Sequence, residues 1–220
     1  MKRRFTANQW LVVFLLVSTG CAPVRRDPSA AYSYIVQGWG YHLKGQFDTA
    51  ISYYNKALGL NPGDAQAYNA RGAAYASKGQ HGQAIVDFNR SLEINPTGMG
   101  AYLNRGISYY HTAEFERAIG DFDRAMESRP TDAGAYHTLY FYRGNAYNQM
   151  GRLDHAITDY TKALEFKSKS AEAYNNRAVA YHAKKEYEKA WDDVHKAQEL
   201  GFKVDPGFLK NLREASGRPK

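Results

Sequence analysis

Between residues 31 and 204 the order of small, large apolar and polar residues repeats in register, unit after unit. Five units start at Ala31, Ala65, Met99, His137 and Ala171, so the period is 34 residues in three steps and 38 in one. The fourth residue of every unit is tyrosine (Tyr34, Tyr68, Tyr102, Tyr140, Tyr174), and so is the eleventh (Tyr41, Tyr75, Tyr109, Tyr147, Tyr181). The eighth is small (Gly38, Gly72, Gly106, Gly144, Ala178) and the twentieth is alanine (Ala50, Ala84, Ala118, Ala156, Ala190). The twenty-fourth is large (Tyr54, Phe88, Phe122, Tyr160, Val194) and the twenty-seventh small (Ala57, Ser91, Ala125, Ala163, Ala197). Each unit therefore predicts two helices and a turn, with Gly45, Gly79 and Gly151 at the turn of units one, two and four. Pro62, Pro96 and Pro130 close the first three units, because proline cannot continue a helix.

Small residues at positions eight and twenty let the two helices approach closely. Large residues at four, eleven and twenty-four fill the space beside them. A hairpin of this kind cannot bury its apolar face alone, so stacked units must share a continuous core. Six positions recurring in phase in all five units over residues 31–204, and the closing proline of the first three, resemble the tetratricopeptide repeat. The resemblance implies an all-α fold: a right-handed α-solenoid of five helical hairpins, over 31–64, 65–98, 99–132, 137–170 and 171–204. After it, Asp205 and Pro206 read as an N-cap and first turn. Phe208, Leu209 and Leu212 then make one apolar stripe beside Lys210, Asn211, Arg213 and Glu214. Residues 205–220 are thus a capping helix with a basic tail, the polar cover that the end of a solenoid needs.

Polar residues recur as well. Position seven is Arg71, Arg105, Arg143 and Arg177 in units two to five, and position twenty-three is Asp87, Asp121, Asp159 and Asp193. Unit one loses both together and carries Gln37 and Tyr53. Correlated loss within one chain points to an Arg–Asp bridge between the two helices of each hairpin. The competing reading is independent solvated charges, worth only about 0 to 1 kcal/mol per pair if exposed.

The single break in the period adds four residues between Pro130 and Gly144, about one helical turn. The first helix of unit four can lengthen by that turn, or the insertion can fold back on unit three as a longer loop. If the helix lengthens, Tyr136, Phe141 and Tyr142 overhang without an internal partner and form a hot spot for a partner or a second copy.

The first thirty residues follow a different pattern. Lys2, Arg3 and Arg4 precede an unbroken apolar run from Trp10 to Val17, then Ser18, Thr19, Gly20 and Cys21. Charged, apolar and small, in that order, is a secretory signal, and the run is too short for the ~20 apolar residues of a membrane span. The junction resembles a bacterial lipobox, with Ser18 where an aliphatic residue is usual. That resemblance implies removal of residues 1–20, lipidation of the Cys21 sulfur and acylation of the new amino end, as with palmitate. A plain secreted protein with an incidental Cys21 is the alternative. Residues 21–30 read as a lipidated cysteine and a flexible tether, with Arg25 and Arg26 placed for anionic headgroups. Ala22, where aspartate would signal retention, implies in Gram-negative relatives the outer membrane, facing the periplasm.

Composition narrows the chemistry. The formal charge of +7 falls to about +4 without Lys2, Arg3 and Arg4, and no basic cluster suggests nucleic acid. Twelve of the eighteen tyrosines occupy positions four, eleven and twenty-four, so they read as packing and not as a stacking platform for bases. Cys21 is the only cysteine, and no internal disulfide is possible. His42, His111 and His182 lie on first helices, but of units one, three and five, too far apart to predict a metal site. Phosphate loops and nucleophile elbows are missing too. The expectation is therefore no enzyme, no cofactor and no metal.

Binding is the remaining class. In the repeat family that the units resemble, first helices line a concave groove that holds peptides or helices. Carried over by position, the groove comprises Tyr32, Ile35, Val36, Trp39 and His42; Asn69, Ala73 and Ser77; Leu103, Asn104, Ile107 and Tyr110; Phe141, Tyr142, Asn145 and Asn148; and Asn175, Asn176, Val179 and His182. It lacks the Lys and Arg that clamp a terminal carboxylate. Asparagine amides both donate and accept, which suits an extended backbone. These residues could instead serve only to join neighbouring units. The lipoprotein resemblance implies a protein-binding adaptor that brings cell-wall hydrolases to a protease. A pilotin for a secretin and a self-associating structural lipoprotein, such as a homodimer, are the alternatives.

Overall fold

The computed structural model describes residues 28–130 and 132–218. They form helices α1 (Pro28–Leu43), α2 (Phe47–Leu60), α3 (Ala65–Ser77), α4 (His81–Ile94), α5 (Met99–His111) and α6 (Phe115–Glu127). The series continues with α7 (Ala133–Gln149), α8 (Leu153–Phe166), α9 (Ala171–Ala183), α10 (Tyr187–Glu199) and α11 (Pro206–Ser216), with no strand among the described residues. Consecutive pairs make five antiparallel hairpins, and α11 packs on α10. The signal segment 1–20, Cys21, Arg25, Arg26 and the last two residues lie outside the described residues. One boundary differs from the sequence expectation: Pro28, Ser29 and Ala30 belong to α1, not to a tether.

Local chemistry accounts for the element ends. Asp64 caps α3 by accepting from the backbone N–H groups of Gln66 and Ala67, and Asp132, Ser170 and Asp205 cap α7, α9 and α11 in the same manner. Each hairpin turn passes through a left-handed residue: Gly45, Gly79 and Gly151, but Ala113 and Lys185 in units three and five. The two side-chain-bearing residues adopt φ of 61° and 63°, so the turn is imposed by the hairpin around it.

Packing within a hairpin is a ring against a missing side chain. A Cβ on Gly38, Gly72, Gly106 or Gly144 would sit 2.6 to 3.0 Å from the ring of Tyr54, Phe88, Phe122 or Tyr160. Unit five replaces both members: Ala178 faces the smaller Val194, and both are fully buried. The core runs on from unit to unit, as where Ala74 of α3 joins Ala50, Ile51 and Tyr54 of α2. The far end is closed by α11, whose Leu212 is fully buried with Phe208 and Leu209 beside it. Trp191 donates its indole N–H to the Ser216 hydroxyl at 3.0 Å, locking that cover in place.

Successive first helices α1, α3, α5, α7 and α9 touch one another, whereas the second helices do not pair to that extent. First helices thus lie on the tighter, inner side of the stack. The insertion lengthens α7 at its start: it has 17 residues, against 13 in α3, α5 and α9.

Candidate binding groove

Arginine at position seven reaches two helices at once. Arg105 forks onto Asp121, Nε to Oδ2 at 2.8 Å and Nη2 to Oδ1 at 2.7 Å, while its Nη1 donates to Asn89 Oδ1 at 2.6 Å on the preceding unit. Arg71 does the same with Asp87 and Asn55, Arg143 with Asp159 and Asp123, and Arg177 with Asp193 and Thr161. The four aspartates are buried, so these are not solvated charges. Burial pushes the Asp159 and Asp193 carboxyls upward, opposed by their arginine partners. Each guanidinium also lies near tyrosine rings of its own first helix, such as Tyr102 and Tyr109 for Arg105. In unit one Tyr53 fills the vacated space, stacked on Tyr41 at 5.2 Å. The tie to position twenty-five (Asn55, Asn89, Asp123, Thr161) escaped sequence reading. Its only signal is an acceptor oxygen on four residues of three types.

The inner face divides the predicted groove residues into two sets. Several are used to join units. Asn104 donates to Asn69 Oδ1 at 3.2 Å, and Asn176 donates to Asn145 Oδ1 at 2.9 Å. Asn145 is buried and also accepts from the Tyr160 hydroxyl at 2.8 Å, so it is a structural residue and not a groove ligand. Asn175 donates to Asn176 at 3.3 Å. His182 stands edge-on to Phe208 of α11 and beside Tyr187, which places it under the cap. Leu103, Ile107, Tyr110, Asn148 and Val179 are half-buried, and Ser77 is exposed. At the first unit, by contrast, Tyr32, Val36 and Trp39 are exposed, with Ile35 packed inward.

The aromatics of the insertion do not overhang without an internal partner, as a lengthened helix was expected to leave them. Tyr136 stacks on Phe166 at 4.8 Å and on Tyr140 at 6.3 Å. Phe141 packs between His137 and Tyr160, and Tyr142 meets Tyr110 and Phe122 of unit three. Tyr136, Phe141 and Tyr142 therefore have internal partners. The second helix α8 runs on to Phe166 and meets the extra turn of α7, so the turn does not overhang.

Three histidines sit at unit junctions. His42 lies 3.3 Å from the Ser77 hydroxyl, and His81 stacks on His111 at 4.6 Å. Burial, and then His111, hold His81 below the usual histidine range. Among the described residues no three His, Cys, Asp or Glu side chains converge, and no helix is long and apolar enough to cross a membrane.

Comparison with known proteins agrees with this architecture. A family model described as TPR repeat matches residues 40–79 and 144–190, and a tetratricopeptide repeat model matches residues 65–97. A crystal structure of MamA is 29% identical over 74% of this chain and 94% of that one, with a TM-score of 0.66. The structure of pilF from Pseudomonas aeruginosa is 20% identical over 87% and 86%, with a TM-score of 0.75. YrrB, described as a TPR protein with an unusual peptide-binding site, is 23% identical over 88% and 94%, with a TM-score of 0.66. Among curated proteins none matches this sequence.

Proposed function

Because this chain is a tetratricopeptide-repeat protein, we propose that it is a non-catalytic scaffold holding an extended protein segment along its inner face. In this reading Cys21 carries the lipid that anchors it at the periplasmic face of a bacterial outer membrane, where it works as an adaptor for cell-wall hydrolases. The observation that carries the binding role is the chemistry of that face. Positions five, nine and twelve of the first helices hold no Lys, Arg, Asp or Glu in any unit. A groove of this kind selects by shape and by backbone hydrogen bonding, and it does not clamp a terminal carboxylate. Tyr110 and Asn148 are its central accessible groups. A peptide-binding site in YrrB, which shares the fold, is in keeping with such a role.

A photo-crosslinker at Asn148 in intact envelopes tests the proposal. A dominant hydrolase or protease product, lost in a Tyr110→Ala variant with an unchanged melt, supports the adaptor. A secretin product replaces it with the pilotin, and links only to further copies replace it with a structural role. For the anchor, Cys21→Ala should leave the outer-membrane fraction; continued cofractionation removes the lipid from the proposal.

A further inference from the structure

The two ends of the stack are finished differently. α11 covers the last unit, but among the described residues nothing covers α1. In units two to five, position ten is a fully buried Ala74, Ser108, Ala146 or Ala180 packed against the preceding unit. Positions two, six and thirteen also face backward: Asn104 bonds Asn69, Tyr142 meets Tyr110, Ser77 lies against His42, and a Cβ on Gly100 would meet Asn69. Among the described residues no unit precedes unit one, yet it places Tyr32, Val36 and Leu43 at these positions, with Trp39 of position nine beside them. Tyr32, Val36, Trp39 and Leu43 are 61, 47, 60 and 70% exposed. They fall at i, i+4, i+7 and i+11, one stripe along the helix.

Gly40 lies within that stripe, and its own fold gives no reason for it. A Cβ there would meet nothing within 4 Å, whereas the neighbouring Gly38 is required by the Tyr54 ring. Glycine inside a helix is unfavourable for the helix itself. It does allow another helix to approach closely.

We propose that α1 is the contact face of a head-to-head dimer, in which the α1 helices of two copies cross antiparallel near residues 37–38, with Gly40 close beside the crossing point. The stripe is complementary to itself under a two-fold axis: Tyr32 meets the second copy's Leu43, and Val36 its Trp39. No Lys, Arg, Asp or Glu lies between Pro28 and Leu43, so two copies bring no like charges together. The absence of basic residues in α1 also sets it apart from helices that lie in a membrane surface. Because α11 closes the other end, stacking stops at two copies and does not run on into a filament. Tyr and Trp side chains each bury about 150–250 Å². The stripe thus offers roughly 600 Å² per copy against the ~800 Å² of a standard interface. The dimer is accordingly weak and reversible, with a Kd on the order of 10 µM.

Sedimentation of the full chain with Cys21→Ser, from about 1 to 200 µM, measures it, because that range brackets the expected Kd. Monomer should convert to dimer over this range. Gly40→Leu should weaken association at least about tenfold while keeping or raising the melting temperature, since leucine favours the helix. Trp39→Asp should do the same to association. On the Cys21→Ser background, mixed Tyr32→Cys and Leu43→Cys copies should form a disulfide, and Tyr32→Cys alone should not. A chain that stays monomeric throughout overturns the proposal, whether the stripe is covered by residues before Pro28 or by added lipid vesicles. So does a dimer that survives Gly40→Leu, or one that links through Tyr32→Cys alone.

Discussion

At the scale of single residues, two tyrosines in the same structural position have opposite fortunes. Tyr160 donates its hydroxyl to Asn145 at 2.8 Å. Tyr54, its counterpart in unit one, is fully buried, and its hydroxyl has no partner among the described residues. Position nine explains the difference, since it is Asn145 in unit four but Trp39 in unit one. Burial pushes the Tyr54 hydroxyl up to about 12. Units two and three carry phenylalanine here, so the site accepts a ring without oxygen. Tyr54→Phe should therefore stabilise the protein by about 1–3 kcal/mol, and Tyr160→Phe should destabilise it by about 1 kcal/mol. Urea titration of both variants checks this, and shifts of the same sign would defeat the explanation. The orphan hydroxyl was not legible in the sequence. Tyr54 and Tyr160 look alike there, and only the neighbour that each faces tells them apart.

At the scale of elements, the arginine fork fixes how two helices cross and how one hairpin seats on the last. Removing one partner strands a buried charge, so Arg105→Ala or Asp121→Ala should each cost about 3–5 kcal/mol. The double variant should lose less than the sum, with a coupling of about 0.5–3 kcal/mol. Additive losses in equilibrium unfolding would mean that the fork contributes nothing as a pair. Arg105→Lys should recover little, because a lysine is a point charge and cannot make the two parallel bonds. The Arg–Asp pairing was readable because five units act as an internal comparison, and unit one loses both residues together. The tie to the preceding unit was not, since Asn55, Asn89, Asp123 and Thr161 share an oxygen and not an identity. The same limit misled the reading of Tyr136, Phe141 and Tyr142. Spacing gave the longer helix, but what the extra turn rests on is Phe166, at the position thirty that holds Leu60 and Ile94 in units one and two.

At the scale of the molecule, the solenoid is a series of nearly independent hairpins joined by nearest-neighbour contacts. The repeat makes that architecture legible in the sequence. What the inner face does with its asparagines was less so, because an amide that serves a ligand and one that serves the next unit are the same residue in sequence. The missing fork of unit one also has a mechanical consequence. Hairpins two to five are each fastened by a charged clasp, while α1 is held to α2 by apolar packing and the Tyr53–Tyr41 stack. A chain tethered near its N-terminus receives any tension at α1 first. Under force the molecule should yield in order, with the first hairpin peeling away while the other four hold. In an optical trap that first event should lengthen the chain by about 110 Å, for 34 residues at ~3.3 Å each. A Gln37→Arg, Tyr53→Asp variant, which installs the missing clasp, should delay it to the force at which the rest of the stack opens. Unit one is in that sense a mechanical fuse, and its strength is set by two residues.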